Sequence, residues 1–105
     1  MKEITSNKDF NEVIQQDKPV ILDFYADWCD PCQVLLPTIE QIAQEYAGKI
    51  EVRKINIDEH RPIVEKCKIK SIPALYFIKN GQIFEKIYGM TSDVRIKKQL
   101  KKLLK

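Results

Sequence analysis

The sequence predicts an α/β protein, with a mixed, mostly central sheet and helices on both faces. Three observations carry that expectation. Helix-like and strand-like segments alternate from the N-terminus to about residue 70. The run PVILDFYA, residues 19–26, is dense in apolar and aromatic side chains and reads as a central strand buried on both faces. Two further strand-like runs flank Asn80-Gly81, a strong signal for a hairpin with a primed turn, and a last helix-like segment follows.

Taken in order, Ser6 with Asp9 three residues later has the pattern of a helix N-cap, and Phe10, Val13 and Ile14 follow at helical spacing. Lys18-Pro19 is expected to end that helix. After the central strand, Pro31 suits the first turn of a second helix, where its missing N–H would be unpaired anyway. Leu35, Ile39, Ile42 and Tyr46 form one apolar stripe on it, with Gly48 as a C-cap. Pro37 lies inside this helix and should kink it. IEVRKINID reads as the next strand, although its alternation is imperfect. Pro62 opens a short helix carrying Ile63, Val64 and Cys67. ALYFI and IFEKIY form the hairpin, and Thr91-Ser92-Asp93 caps a final helix with Ile96, Leu100, Leu103 and Leu104 on its inner face.

A chain of 105 residues suits one compact domain, residues 1–105. With 44% hydrophobic and 31% charged residues, it can bury a core without metal or disulfide staples. A net charge of +3 is too weak to point to nucleic acid or a membrane surface. There is no linker, low-complexity tract or repeat. MKEITSNKDF contains no apolar run resembling a secretory signal, and no later stretch approaches a membrane span, so the expected location is cytoplasmic. Three cysteines are an odd number, whereas a disulfide framework needs pairs. In a reducing compartment, a lone close pair is catalytic or metal-binding more often than structural.

That pair lies in DWCDPC, residues 27–32. Cysteines at i and i+3 of a helix start have neighbouring side chains, close enough to form a disulfide. Cys29 falls where unpaired backbone N–H groups and the helix dipole favour an anion, which activates its thiolate as a nucleophile. Cys32 is one turn inward beside Val34, Leu35 and Leu36 and should be less accessible. The chemistry that follows is attack by Cys29 on a substrate disulfide and resolution of the mixed disulfide by Cys32. A structural zinc site is the competing reading. It needs four ligands, and beyond this pair the chain offers only the isolated Cys67 and His60.

VILDFYADWCDPC, KINID, IKSIPALYFIKNG and the late Tyr88-Gly89 together resemble the thioredoxin family in order and separation across essentially the whole chain. The resemblance implies a central five-stranded mixed sheet flanked by four helices. It also implies reduction of protein disulfides, with no bound cofactor and electrons from NADPH delivered by a thioredoxin reductase. Disulfide-containing proteins and that reductase are the expected partners, and the chain is expected to act as a monomer.

Asp23 interrupts an apolar strand. An unpaired buried carboxylate is costly, and desolvation would raise its pKa toward neutrality. By resemblance it lies behind Cys32 and handles that sulfur's proton; a satisfied structural polar group is the plainer alternative. Lys54 matches the family's lysine near that aspartate and would tune it, although a lysine on a strand is ordinarily a solvated edge charge. Pro73 matches the family's cis-proline facing the cysteines, and the Ile72 backbone is expected to pair with an extended substrate segment. Trp28, Asp30, Pro31 and Gly89 fall on the implied contact surface, although Trp28 read alone would belong to the core. Asp30 departs from the family's usual glycine between the cysteines. Cys67 reads as a small hydrophobe, with reactivity the lesser alternative. His60 has no evident partner, and the lysines at 97, 98, 101, 102 and 105 form the wet face of the last helix.

Three functions compete. A reductase is preferred over an oxidant or isomerase of the same fold, because strong oxidants need a stabilised thiolate and Asp30 acts against that. A non-catalytic binding module is disfavoured by the intact cysteine pair together with Asp23 and Pro73.

Overall fold

The computed structural model describes all residues, Met1–Lys105. Nine elements follow in the order β1 (Lys2–Glu3), α1 (Asn7–Ile14), β2 (Val20–Tyr25), α2 (Asp30–Glu45), β3 (Glu51–Asn56), α3 (Arg61–Lys66), β4 (Ala74–Lys79), β5 (Gln82–Tyr88) and α4 (Asp93–Leu103). The five strands form one sheet ordered β1-β3-β2-β4-β5. β1 and β2 run parallel to β3, while β4 is antiparallel to both β2 and β5. This is the expected mixed sheet.

Strand alternation sorts the core into two layers. Val20, Leu22 and Phe24 of β2 join Ala74, Tyr76 and Ile78 of β4 beneath Phe10 and Val13 of α1 and Ile63 of α3. On the other face, Ile21, Leu75 and Phe77 pack under Leu35, Ile39 and Ile42 of α2 and Ile96, Leu100 and Leu103 of α4. β2 is buried at all six positions, as its apolar run predicts.

The local signals act as the residues suggest. The Ser6 hydroxyl accepts from the Asp9 N–H at 3.0 Å, and the Ser92 hydroxyl accepts from the Arg95 N–H at 3.2 Å. Asn80 and Gly81 both have positive φ, 54° and 77°, as a primed two-residue turn requires. Four expectations need correction. α1 stops at Ile14, well before Lys18-Pro19, because Gln15 already caps it. α2 ends with Tyr46, not Gly48, as its cap. Leu104 caps α4 and is exposed rather than part of its inner face. Lys97 is half-buried and ties α4 to α2 through an ion pair with Glu45 at 2.9 Å, so it is not simply a wet-face lysine. No helix is long and apolar enough to cross a membrane.

Candidate functional site

β2 carries the chain out of the sheet at Tyr25, and Cys29 becomes the N-cap of α2. Its extended backbone leaves Sγ pointing back over the first turn, where it accepts the Cys32 N–H at 3.3 Å. Asp30 and Pro31 occupy the exposed first turn, where a missing N–H is harmless and an acidic side chain suits the dipole. Cys29 and Cys32 are joined as a disulfide with Cα atoms 5.3 Å apart.

The two sulfurs differ less in exposure than the sequence suggested. Cys29 is 5% exposed and Cys32 3%, and Val34 points outward at 66% exposure instead of screening Cys32. Only Leu35 of the flanking apolar residues packs into the core. Val34 lies two positions beyond Cys32, about 200° around the helix, so it falls on the opposite face. The asymmetry between the sulfurs comes from helix position. One sits at the cap with a backbone N–H aimed at it, and the other sits within the first turn.

Both cysteines pack with Tyr25 and Ala26, and Ile57 and Ile72 close over them. The Ile72-Pro73 bond is cis. The Gly89 N–H donates to the Pro73 carbonyl at 2.8 Å, which joins the end of β5 to this loop. No hydrogen bond within the chain uses the Ile72 N–H or carbonyl. Beside Ile72 lies a groove of about 370 Å³ lined by Trp28, Ile57, Val64, Ile69 and Ile72, with Lys70 and Ser71 at its edge. Trp28 is 67% exposed, so it belongs to this surface and not to the core. Its indole N–H donates to Asp58 Oδ2 at 2.9 Å, and the Asp58 N–H in turn donates to buried Asn56 at 2.9 Å. Asp58 and Ile57 were not singled out in the sequence. They are the last two residues of KINID, and only their place just past the end of β3 put them near the site.

Asp23 lies on the sheet face covered by α2, between Ile21, which packs with Leu35, and Tyr25, which packs with the cysteines. It is 2% exposed, and no hydrogen-bond partner reaches its Oδ1. Burial pushes its carboxyl up to about 7, against the lowering effect of Lys54. A carboxyl so placed can gain or lose a proton near neutral pH. Lys54 is its register neighbour across β2 and β3, yet it makes no ion pair with it. The Lys54 ammonium sits instead 5.4 Å from the centre of the Tyr25 ring.

The residues left over take other places. Cys67 caps the C-terminus of α3 and is buried, and burial pushes its thiol up to about 11, against the lowering effects of Lys66 and Lys86. Burial thus favours its protonated form near neutral pH. His60 is at the opposite end of α3, and no three His, Cys, Asp or Glu side chains converge as a ligand set.

Comparison with known proteins agrees with this geometry. The sequence model of the family described as "Thioredoxin" matches residues 1–102. Thioredoxin 1 of Nostoc sp. is 37% identical over 102 residues, covering 97% of this chain and 95% of that protein. Thioredoxin-T of Drosophila melanogaster is 40% identical over 81 residues; the match covers 77% of this chain but spans about half (52%) of that relative. The crystal structure of Malassezia sympodialis thioredoxin superposes with a TM-score of 0.91 at 30% identity, covering 100% of this chain and 91% of that one. The chain belongs to the thioredoxin family, and its cysteine pair is a thiol–disulfide oxidoreductase centre.

Proposed function

We propose that the protein reduces disulfides in other proteins, with Cys29 as nucleophile and Cys32 as resolving cysteine. In the dithiol form, the Cys29 thiolate attacks one sulfur of a substrate disulfide. That S–S bond breaks, and the first substrate thiolate leaves. Cys32 then gives up its proton and attacks Cys29 Sγ. The mixed disulfide breaks, the second substrate thiolate leaves and is protonated, and Cys29–Cys32 is left oxidised by two electrons. Asp23 is the group that takes the Cys32 proton, and Lys54 restrains how far the Asp23 carboxyl rises.

The observation that supports this reading is the cap position of Cys29, with a backbone N–H directed at its sulfur. A thiolate there gains a hydrogen bond and the favourable end of the helix dipole. The unbonded Ile72 backbone supports docking of an extended substrate segment as one added strand, held next to Trp28, Asp30, Pro31, Pro73 and Gly89. The reading includes a monomeric cytoplasmic protein of one domain, re-reduced by NADPH through a thioredoxin reductase.

Two measurements test it together. The reduction potential is obtained by equilibration with glutathione, and insulin reduction is followed with NADPH and a thioredoxin reductase. A reductase has a potential well below the glutathione couple and sustained turnover. A potential near that of strong oxidants, about −120 mV, with no turnover, would assign the chain to disulfide formation instead.

A further inference from the structure

The loop from α3 to β4 forms one wall of the groove, yet little of its own backbone holds it. The Lys68 and Ile69 N–H groups still reach back to Glu65 and Val64, but Lys70, Ser71 and Ile72 take part in no hydrogen bond within the chain. Lys68 is also a non-glycine residue with φ of 55°, a conformation that carries strain. Something outside the loop must hold it.

Gly89, just past β5, holds one end, and Tyr76 of β4, backed by Tyr88 of β5, holds the other. At the distal end, the Gly89 N–H donates to the Pro73 carbonyl. At the proximal end, the buried Tyr76 hydroxyl donates to the Cys67 carbonyl at 2.7 Å. The same hydroxyl lies 2.9 Å from the hydroxyl of Tyr88. A phenol has one proton, and that of Tyr76 is committed to the carbonyl, so Tyr88 is the donor of this second bond. Phe24 packs edge-on to the Tyr76 ring at 5.2 Å and Tyr88 does so at 6.2 Å, which restricts how Tyr76 can turn. The result is a short chain of hydroxyls from β5 through β4 to the Cys67 carbonyl at the end of α3.

We propose that Tyr76 and Tyr88 are positioning residues for the reaction. Their hydroxyls clasp the loop from Lys68 to Ile72 so that the Ile72 backbone and the groove wall are set for a polypeptide substrate. The inference rests on the reading that substrates dock along Ile72. Its distinguishing consequence is selectivity: a loosened loop should impair large substrates that lie along it and leave small disulfides, which need only the sulfur, unaffected.

The test uses the full chain reduced with dithiothreitol and measures single-turnover rates with insulin and with 5,5′-dithiobis(2-nitrobenzoate). Tyr76→Phe should slow insulin reduction about fivefold, the scale of one lost hydrogen bond, and leave the small disulfide within about twofold. Backbone order parameters of Ile69 to Ile72 should fall in the same variant. Tyr88→Phe, which removes only the outer hydroxyl, should show the same selectivity at about twofold and serves if Tyr76→Phe does not fold. Unchanged insulin reduction in the folded variants, or equal slowing of both substrates, overturns the clasp. Ile72→Pro removes the N–H offered to substrate and tests the docking reading separately. Slowed insulin reduction there, beside unchanged rates in both tyrosine variants, rejects the clasp alone, whereas unchanged reduction in Ile72→Pro rejects strand docking itself.

Discussion

Replacing Asp23 by asparagine should stabilise the oxidised protein in a strongly pH-dependent way. The folded carboxyl titrates at about 7 and an unperturbed one at 3.8, chiefly because burial disfavours the charged form. Between those values the unfolded chain has lost this proton while the folded chain keeps it. Folding stability therefore falls as pH rises, by about 1.4 kcal/mol per pH unit. The contribution is fully present below pH 3.8 and is lost by the time the pH passes 7. Summed over the window, the loss is roughly 4 kcal/mol, a large fraction of the 5–15 kcal/mol typical of a small domain. At 2% exposure there is little solvent screening to discount it. Asparagine cannot ionise and avoids this loss. Guanidinium unfolding of parent and variant from pH 4 to 8.5 should thus show nearly equal stabilities at pH 4 and a gap of roughly 3–4 kcal/mol, in favour of the variant, at pH 8. A stability difference that stays constant across this range would refute the assignment of a raised carboxyl pKa to Asp23.

Three further outcomes are expected. If Asp23 accepts the Cys32 proton, Asp23→Asn should slow resolution of the mixed disulfide by about tenfold or more while leaving its formation nearly unchanged, as rapid-mixing kinetics would show; equal rates would reduce Asp23 to a structural role. Asp30→Gly removes a negative charge from the turn that holds the Cys29 thiolate, an effect of about 1 kcal/mol at an exposed site. Thiol titration should give a lower Cys29 pKa, and equilibration with glutathione a potential higher by about 20 mV. Gly81→Ala places a side chain at φ of 77° and brings its Cβ within 2.9 Å of Gln15 Nε2. Denaturant unfolding should register a loss of about 1–2 kcal/mol with redox activity unchanged.

What the sequence revealed was mostly local. Asn80-Gly81, Ser6 with Asp9, and Ser92 each specify their turn or cap through neighbouring backbone groups, and each acts as expected. β2 was legible because burial on both faces leaves an unbroken apolar run. By contrast, β1 is two residues long, and only its register against Arg53 and Lys54 makes it a strand. Val34 and Leu104 were misplaced because apolar character alone does not decide which face, or which side of a helix end, a residue occupies. At the site, the cysteines, Asp23 and Pro73 stood out by residue type and resemblance. The bond from Trp28 to Asp58 spans thirty residues and left no mark in the sequence. The hydroxyl of Tyr76 was hidden inside an apolar strand, where an aromatic residue reads as packing.

The order of attack at the two sulfurs is the central claim, and trapping tests it most directly. Cys29→Ser and Cys32→Ser variants are mixed with a disulfide-containing protein, and the linked cysteine is mapped by peptide mass analysis. The account predicts that Cys32→Ser accumulates a stable mixed disulfide through Cys29, while Cys29→Ser traps almost none and reduces nothing. Mixed disulfides that form mainly through Cys32 would contradict it.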